Sequence, residues 1–557
     1  MIRESVRKHI IKISYKSRRE IILLATLVIG YNGLYGLLFL FWVLPPDVYR
    51  SPSIVVAGLQ STPFALLLIV PTIVLVLSRN ELRWKSFEHG HKLRLLVLAI
   101  GFSLLWTHVA YDYNFYLDQP HHLDRLLLIA IYSLIWVHPL FTYPFIVILM
   151  AVMGQFVYPF GSLSITDRIL PINMIILFSA FLFLQIRFLD PVQRLLDRLG
   201  LSTLSQSDDF RSKVFVWVGA GLIGGSYFIP AINKILILWP FREQLQYYIP
   251  SKYLWGWLTF LDTETMLNLY SVMQVLNPIG VFSTIVIEAA AVFLMWRRNV
   301  SIVIISSFVF LHTIIFALSG IAFWKWIIVD IAFLLFILLV DKSDQSNVFD
   351  QKTVVVVTLL IVFSPIIIQT APLGWYTNNY DARYTVETVG ESGEIQDVHW
   401  SDMDPYVYTF SSNRFGYIYD GKSISGVSQN WTMTNELRSS TSKKDVRAFT
   451  ETYGENQYNQ QNAQMFDCFI HQYFNTRLER QGNQVIWDKI PSVPHFWSTE
   501  STKPLSSDEN ITHVRIKRTE HIYTDEQIIT VGSEVISEIN LTQSTLRCQL
   551  GDGTVKQ

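Results

Sequence analysis

Cysteine and charge are what this chain is short of. Two cysteines, Cys468 and Cys548, occur in 557 residues, too few for paired Cys-x-x-Cys metal ligands or a disulfide-dense scaffold. Charged residues make up 16% of the chain, against roughly 25% in soluble domains. The 44 Lys and Arg are matched by 45 Asp and Glu, so no basic face offers itself to a phosphate backbone and nucleic acid is set aside as a partner. Walker-type phosphate loops, Gly-x-Ser-x-Gly elbows and His-Glu-x-x-His zinc helices are also missing.

Apolar sequence is abundant: 50% of residues are hydrophobic and the mean hydropathy is +0.30. Repeated runs between Ile21 and Ala371 are long enough for a bilayer core, which takes about 20 helical residues, whereas Pro372 to Gln557 contains none. Two domains follow, a helical membrane domain over 1–371 and a soluble one over 372–557. Candidate spans fall at about 21–44, 62–78, 95–111, 125–138, 142–158, 168–188, 214–236, 270–296, 300–322, 325–340 and 353–371. The fourth and fifth share one apolar stretch broken at His138-Pro139 and Pro144, and read as two short spans, a re-entrant pair or one kinked helix. The basic stretch Arg3 to Arg19 leads into a run too long for a signal peptide, so the first helix is expected to be retained as an anchor.

Cytoplasmic loops carry an excess of Lys and Arg, and alternate loops here do so. One set holds the N-terminal cluster, Arg79 to Arg94, Arg194 to Lys213, Arg297-Arg298, and Lys342 with Lys352; the opposite loops, including 112–124, are poorer. With an odd number of spans, the N-terminus is cytoplasmic and the C-terminal domain extracytoplasmic. Both cysteines lie in that domain, as a Cys468–Cys548 disulfide requires, the alternative being two buried thiols. The sequons at Asn430, Asn510 and Asn540 fall on the same side, and the one at Asn299 does not. Alternation in 383–389 and 513–518 predicts strands, and Gln460 to Arg480 an amphipathic helix with Met465, Phe466, Phe469, Tyr473 and Phe474 on its apolar side. The soluble domain therefore reads as α+β.

Ionisable groups inside apolar spans are costly and point to function. The candidates are His108, Lys234, Glu288, His312 and Asp330; Glu288 and His312 stand out because each sits within an apolar run. Lys234 has an alternative as a snorkelling side chain, and His312 as a packing histidine. Span seven contains Gly219, Gly221, Gly224, Gly225, Tyr227, Pro230, Asn233 and Lys234, combining small residues for close helix contact with a proline that frees a carbonyl near the lysine. The segment from Trp239 to Thr265 carries Trp239, Tyr247, Tyr248, Tyr253, Trp255 and Trp257, either an interfacial belt or the mouth of a pocket for an aromatic lipid-soluble ligand. His121-His122 with Asp112, Asp118 and Asp124 suits a metal or a solvated loop by residue type, and no metal is assigned.

Tyr227-Phe228-Ile-Pro-Ala-Ile-Asn233-Lys234 followed by Trp239, then Glu288, then Phe310-Leu-His312 leading to Gly320-Ile-Ala-Phe323, resembles the vitamin K-dependent gamma-carboxylase family and its relatives, the horizontally transferred transmembrane domain (HTTM) proteins. The likeness covers about 120 residues, and Pro230-Ala231 stands where the family has Ala-Gly. It implies a carboxylase-like core over about 214–340, lyase chemistry, Lys234 as base with Glu288 and His312 at the catalytic site, and Tyr227, Asn233 and Trp239 around reduced vitamin K or another quinol. The leading expectation is thus a membrane-embedded enzyme with a quinone-type cofactor. The rivals are a non-enzymatic membrane protein whose outer domain binds a protein or peptide, and a transporter, which would require inverted repeats that the sequence does not display.

Overall fold

The structure is a computed structural model describing residues 2–40, 42, 44–110, 119–157, 166–186, 208–254, 256–258, 260–341, 348–368, 374–398, 419–420, 427–428, 430–453, 457–458, 460–480, 487, 490 and 510–542. Asp112, Asp118, Arg194, Arg198, Trp255, Lys342 and Cys548 lie outside these residues, and with Cys548 the expected cysteine pair.

The apolar runs are helices: α1 (Ile2–Leu40), α2 (Thr62–Leu77), α3 (Gly90–Ala110), α4 (His122–Val137), α5 (Thr142–Met153), α6 (Thr166–Gln185), α7 (Asp208–Leu236), α8 (Thr263–Ala289), α9 (Arg298–Ser319), α10 (Trp324–Leu339) and α11 (Gln351–Val362). Six of them, α1, α3, α6, α7, α8 and α9, are long and apolar enough to cross a membrane. The other five have 12 to 16 residues, or about 18 to 24 Å at 1.5 Å per residue, so among the described residues six of the expected eleven spans have the length of a crossing. The stretch shared by α4 and α5 is not one kinked helix. His138 takes an extended conformation and its Nδ1 accepts from the Leu140 amide, and Pro139–Phe141 form a turn of 3-10 helix before α5 begins.

Burial separates outward-facing from central helices. On α8, Val275, Ile279, Phe282 and Val286 are exposed at spacings of four, three and four, while Val281, Ile285 and Glu288 are buried. An apolar stripe this continuous is poorly suited to water and well suited to lipid chains. By contrast α6 and α7 are buried along most of their length, with Phe178, Phe181 and Phe215 packed together between them.

The two ends of α7 show how the charged loops are arranged. Near its start, Lys213 pairs with Asp350 at 2.5 Å. Lys352, near the start of α11, pairs with Glu20 midway along α1, and Lys92, near the start of α3, pairs with Asp341 at 2.8 Å. Past its end, the Ile237 carbonyl accepts from the Tyr376 hydroxyl. Lys213 and Lys352 thus lie at the end of this helix opposite its contact with the C-terminal domain.

The C-terminal domain contains strands β1 (Tyr376–Thr377), β2 (Tyr380–Gly390), β3 (Ile395–Val398), β4 (Tyr419–Asp420), β5 (Val427–Ser428), β6 (Gln457–Tyr458), β7 (Ile511–Tyr523) and β8 (Ile528–Asn540), with helices α12 (Trp431–Ser439), α13 (Lys443–Tyr453) and α14 (Gln460–Arg480). The main sheet is antiparallel in the order β3-β2-β7-β8, and β1–β5 and β4–β6 are two-residue pairs. The segments expected as strands lie in β2 and β7. On α14, Phe469, Tyr473 and Phe474 are fully buried in the same core as Val514 and Ile516 of β7, as its period demands. The side chains of Met465 and Phe466 fall outside the described residues.

Candidate functional site

Tyr227 and Lys234 are seven residues, two helical turns, apart on α7, so they share a face. The Lys234 ammonium meets the Glu288 carboxylate, in the last turn of α8, at 2.5 Å. The same ammonium lies 5.3 Å from the centre of the Trp239 ring. That ring is carried on a short helical turn (Trp239–Arg242) that begins after Leu238 adopts a left-handed conformation at φ 59°. Both charged side chains are largely shielded, 14% and 9% exposed, a setting in which an ammonium needs a carboxylate and the reverse.

Two turns earlier, the Tyr227 hydroxyl donates to Asp330 Oδ2 at 2.5 Å and lies 3.2 Å from His312 Nδ1. His312 Nδ1 is 3.8 Å from the same carboxylate oxygen. The three residues come from α7, α9 and α10. Tyr227 stacks on Phe308 with ring centres 3.6 Å apart and meets Trp326 edge-on at 5.5 Å, and the His312 ring stacks on Phe323 at 5.2 Å. Gly320 explains the last contact. It ends α9 at φ 67°, a left-handed conformation glycine adopts without strain, and the short connection that follows folds Phe323 back onto His312. The spacing from His312 through Gly320 to Phe323 is therefore a packing requirement as well as a motif.

Two acceptors at this site are left open. Glu288 Oε2 and Asp330 Oδ1 are buried and have no hydrogen-bond partner among the described residues. Buried acceptors in this state are rare and need a donor. A ligand carrying hydroxyl groups answers that need.

Of the other residues singled out in the sequence, Asn233 packs against Gly374, whose Cβ position lies 3.5 Å from the Asn233 Cβ. His108 is buried on α3 in a separate cluster within electrostatic range of Arg125, Arg168 and Lys325. His121 lies within electrostatic range of Asp124, but its Nε2 is 2.9 Å from the Tyr49 carbonyl, and His122 Nδ1 accepts from the Trp487 indole at 2.7 Å. Asp124 accepts from Ser53 Oγ and from the amides of Ile54 and Val55. Among the described residues no group of three His, Cys, Asp or Glu is placed to hold a metal.

The described part of the aromatic segment is divided, with Phe241 and Phe260 exposed and Trp239 and Tyr247 buried. Trp239 is buried against Val281, Ile285 and Tyr376, and Tyr247 against Tyr270 and Tyr523. The Tyr248 hydroxyl accepts from the Trp375 indole at 2.7 Å, and the Trp257 indole donates to the Ala317 carbonyl at 3.0 Å. Sequence reasoning passed over Glu243, an acid in that aromatic stretch, and its partners Thr377 and Arg438. The signal available was an acid four residues after Trp239, since a carboxylate among aromatic residues must find donors. No protein-family model, curated protein or solved structure matches this chain.

Proposed function

We propose that the chain is a multi-pass membrane enzyme whose site, built on Lys234 and Glu288, performs acid–base chemistry on a lipid-soluble phenolic ligand of the reduced-quinone type, with the C-terminal domain outside the cytoplasm. The observation that carries this reading is the 2.5 Å contact of Lys234 Nζ with Glu288 Oε1 beside an open Glu288 acceptor. A proton passed between Nζ and Oε1 changes no net charge in the site. That is what a base needs where isolated charge is costly.

A reduced quinone supplies, when bound, ionisable hydroxyl protons and two electrons. Glu288 Oε2 and Asp330 Oδ1 would accept from its hydroxyl groups. Tyr227, held between Asp330 and His312, provides a hydroxyl from which a proton can move to either. The resemblance to the carboxylase family points to the same class of ligand, and carboxylation of a protein or peptide presented at the C-terminal domain is the reaction it implies. With six helices long enough to cross among the described residues, the number of spans does not fix the orientation. The support is instead the placing of Lys213 and Lys352 at the end of α7 away from the sheet.

Equilibrium binding to the protein in lipid nanodiscs tests the reading. A reduced naphthoquinone should bind wild type and lose about tenfold or more in affinity with Lys234→Ala or Glu288→Gln, the loss expected when a hydrogen bond to a charged group is removed. Equal binding by all three proteins would remove the site from consideration.

A further inference from the structure

Glu243 follows the Trp239 turn in an extended conformation, and its carboxylate is buried against the C-terminal domain. It accepts from the Thr377 hydroxyl at 2.6 Å and from the Thr377 amide at 3.0 Å, and the Arg438 guanidinium lies 3.6 Å away. Arg438, on α12, also donates to the carbonyls of Thr377 and Arg242. The Tyr376 hydroxyl donates to the Ile237 carbonyl, three residues past Lys234. One node therefore ties β1 and α12 of the C-terminal domain to the turn that carries Trp239 and follows Lys234.

We propose that Glu243, Thr377 and Arg438 form a clasp through which the C-terminal domain positions the Lys234 turn, and that the clasp is tighter when Glu243 holds a proton than when it has lost it. Its bearing on turnover rests on the function proposed above; the clasp itself does not. Burial pushes the Glu243 carboxyl up from 4.5 to about 7, against the opposing pull of the Thr377 hydroxyl, Arg438, the Thr377 amide and Lys234. The other groups facing this region are Arg242, whose guanidinium lies on the Trp431 ring, and the hydroxyls of Tyr248, Tyr376 and Tyr247. When the clasp opens, Glu243 meets water and its ordinary value returns. The docked state thus binds the proton more strongly, so docking strengthens as pH falls through 7 and weakens as pH rises through it.

Hydrogen exchange of the full-length protein in nanodiscs, followed over residues 237–244 and 376–379 and corrected for intrinsic exchange rates, tests this without any ligand. Between pH 6 and pH 8 the opening equilibrium of wild type should rise about tenfold, the change that a shift from 4.5 to about 7 implies. Glu243→Gln, which keeps an acceptor for Thr377 and cannot ionise, should remove that dependence. Thr377→Val, which removes a donor favouring the charged form, should move the transition to higher pH. A flat wild-type profile, or one that Glu243→Gln leaves unchanged, would overturn the proposal. Failure of wild type to bind a quinol would instead count against the proposed function and leave the clasp standing.

Discussion

A carboxylate in the last turn of an apolar helix is tolerated when a cation reaches it, and Lys234 does so for Glu288. Removing one member of a shielded pair costs more than removing both, because the survivor is left charged and unpaired. Lys234→Met should therefore destabilise the folded protein by about 3–5 kcal/mol, and adding Glu288→Leu should recover most of that loss. Thermal unfolding in detergent, with both single variants and the double, reads this directly. A double variant no more stable than Lys234→Met would mean that the two side chains do not depend on each other. Glu288 and His312 were visible in the sequence because each interrupts an apolar run. That Asp330 shares the Tyr227 hydroxyl with His312 was not, since partners on α7, α9 and α10 are set by helix packing rather than by spacing along the chain.

At the scale of elements, the glycines of α7 were legible as a packing seam, and the partner was not. For Gly221, Gly224 and Gly225 that partner is the segment from Leu360 to Ser364, and for Gly219 it is Met174 and Leu177 of α6. A Cβ at Gly225 would fall 2.6 Å from the Ser364 Cβ, whereas one at Gly224 would meet the terminal Cδ1 of Ile361 and, at 2.8 Å, its Cγ1, both of which move with the side-chain rotamer. A side-chain tip can swing aside and a Cβ cannot. Gly225→Ala should thus cost about 1–3 kcal/mol as overpacking, and Gly224→Ala should cost less; unfolding of the two variants under one condition checks the order. The break at His138 was legible as a break, because Pro139 follows it. Its form was decided by two contacts of the imidazole, with the Leu140 amide and the Arg79 carbonyl, which no local pattern encodes. The number of crossings was least legible, since a short apolar run and a spanning one look alike until helix ends are fixed.

For the whole molecule, the arrangement of charge carries the proposed orientation. Lys213 and Lys352 lie at one end of α7 and the C-terminal domain at the other, and Asn80 belongs to another of the basic loops of the sequence, so single cysteines placed at Asn80 and Glu526 in intact cells should behave oppositely toward an impermeant maleimide. Glu526→Cys should label at once, and Asn80→Cys only after permeabilisation. The reverse pattern would place the C-terminal domain in the cytoplasm. The strands over 383–389 and 513–518 were readable from their alternation, but the contact of their domain with the Lys234 turn was not, because it rests on Glu243, Thr377 and Arg438, residues far apart in the chain.

The central claim is that Lys234 and Glu288 act together on a reduced quinone, and oxygen uptake by the purified protein in nanodiscs tests it most directly. With a reduced naphthoquinone supplied, wild type should consume oxygen, and Lys234→Ala and Glu288→Gln should each lose about a hundredfold or more in rate while remaining folded, the contribution of a positioned acid or base. Uptake by wild type no faster than by empty nanodiscs, or equal uptake by all three proteins, would contradict the account.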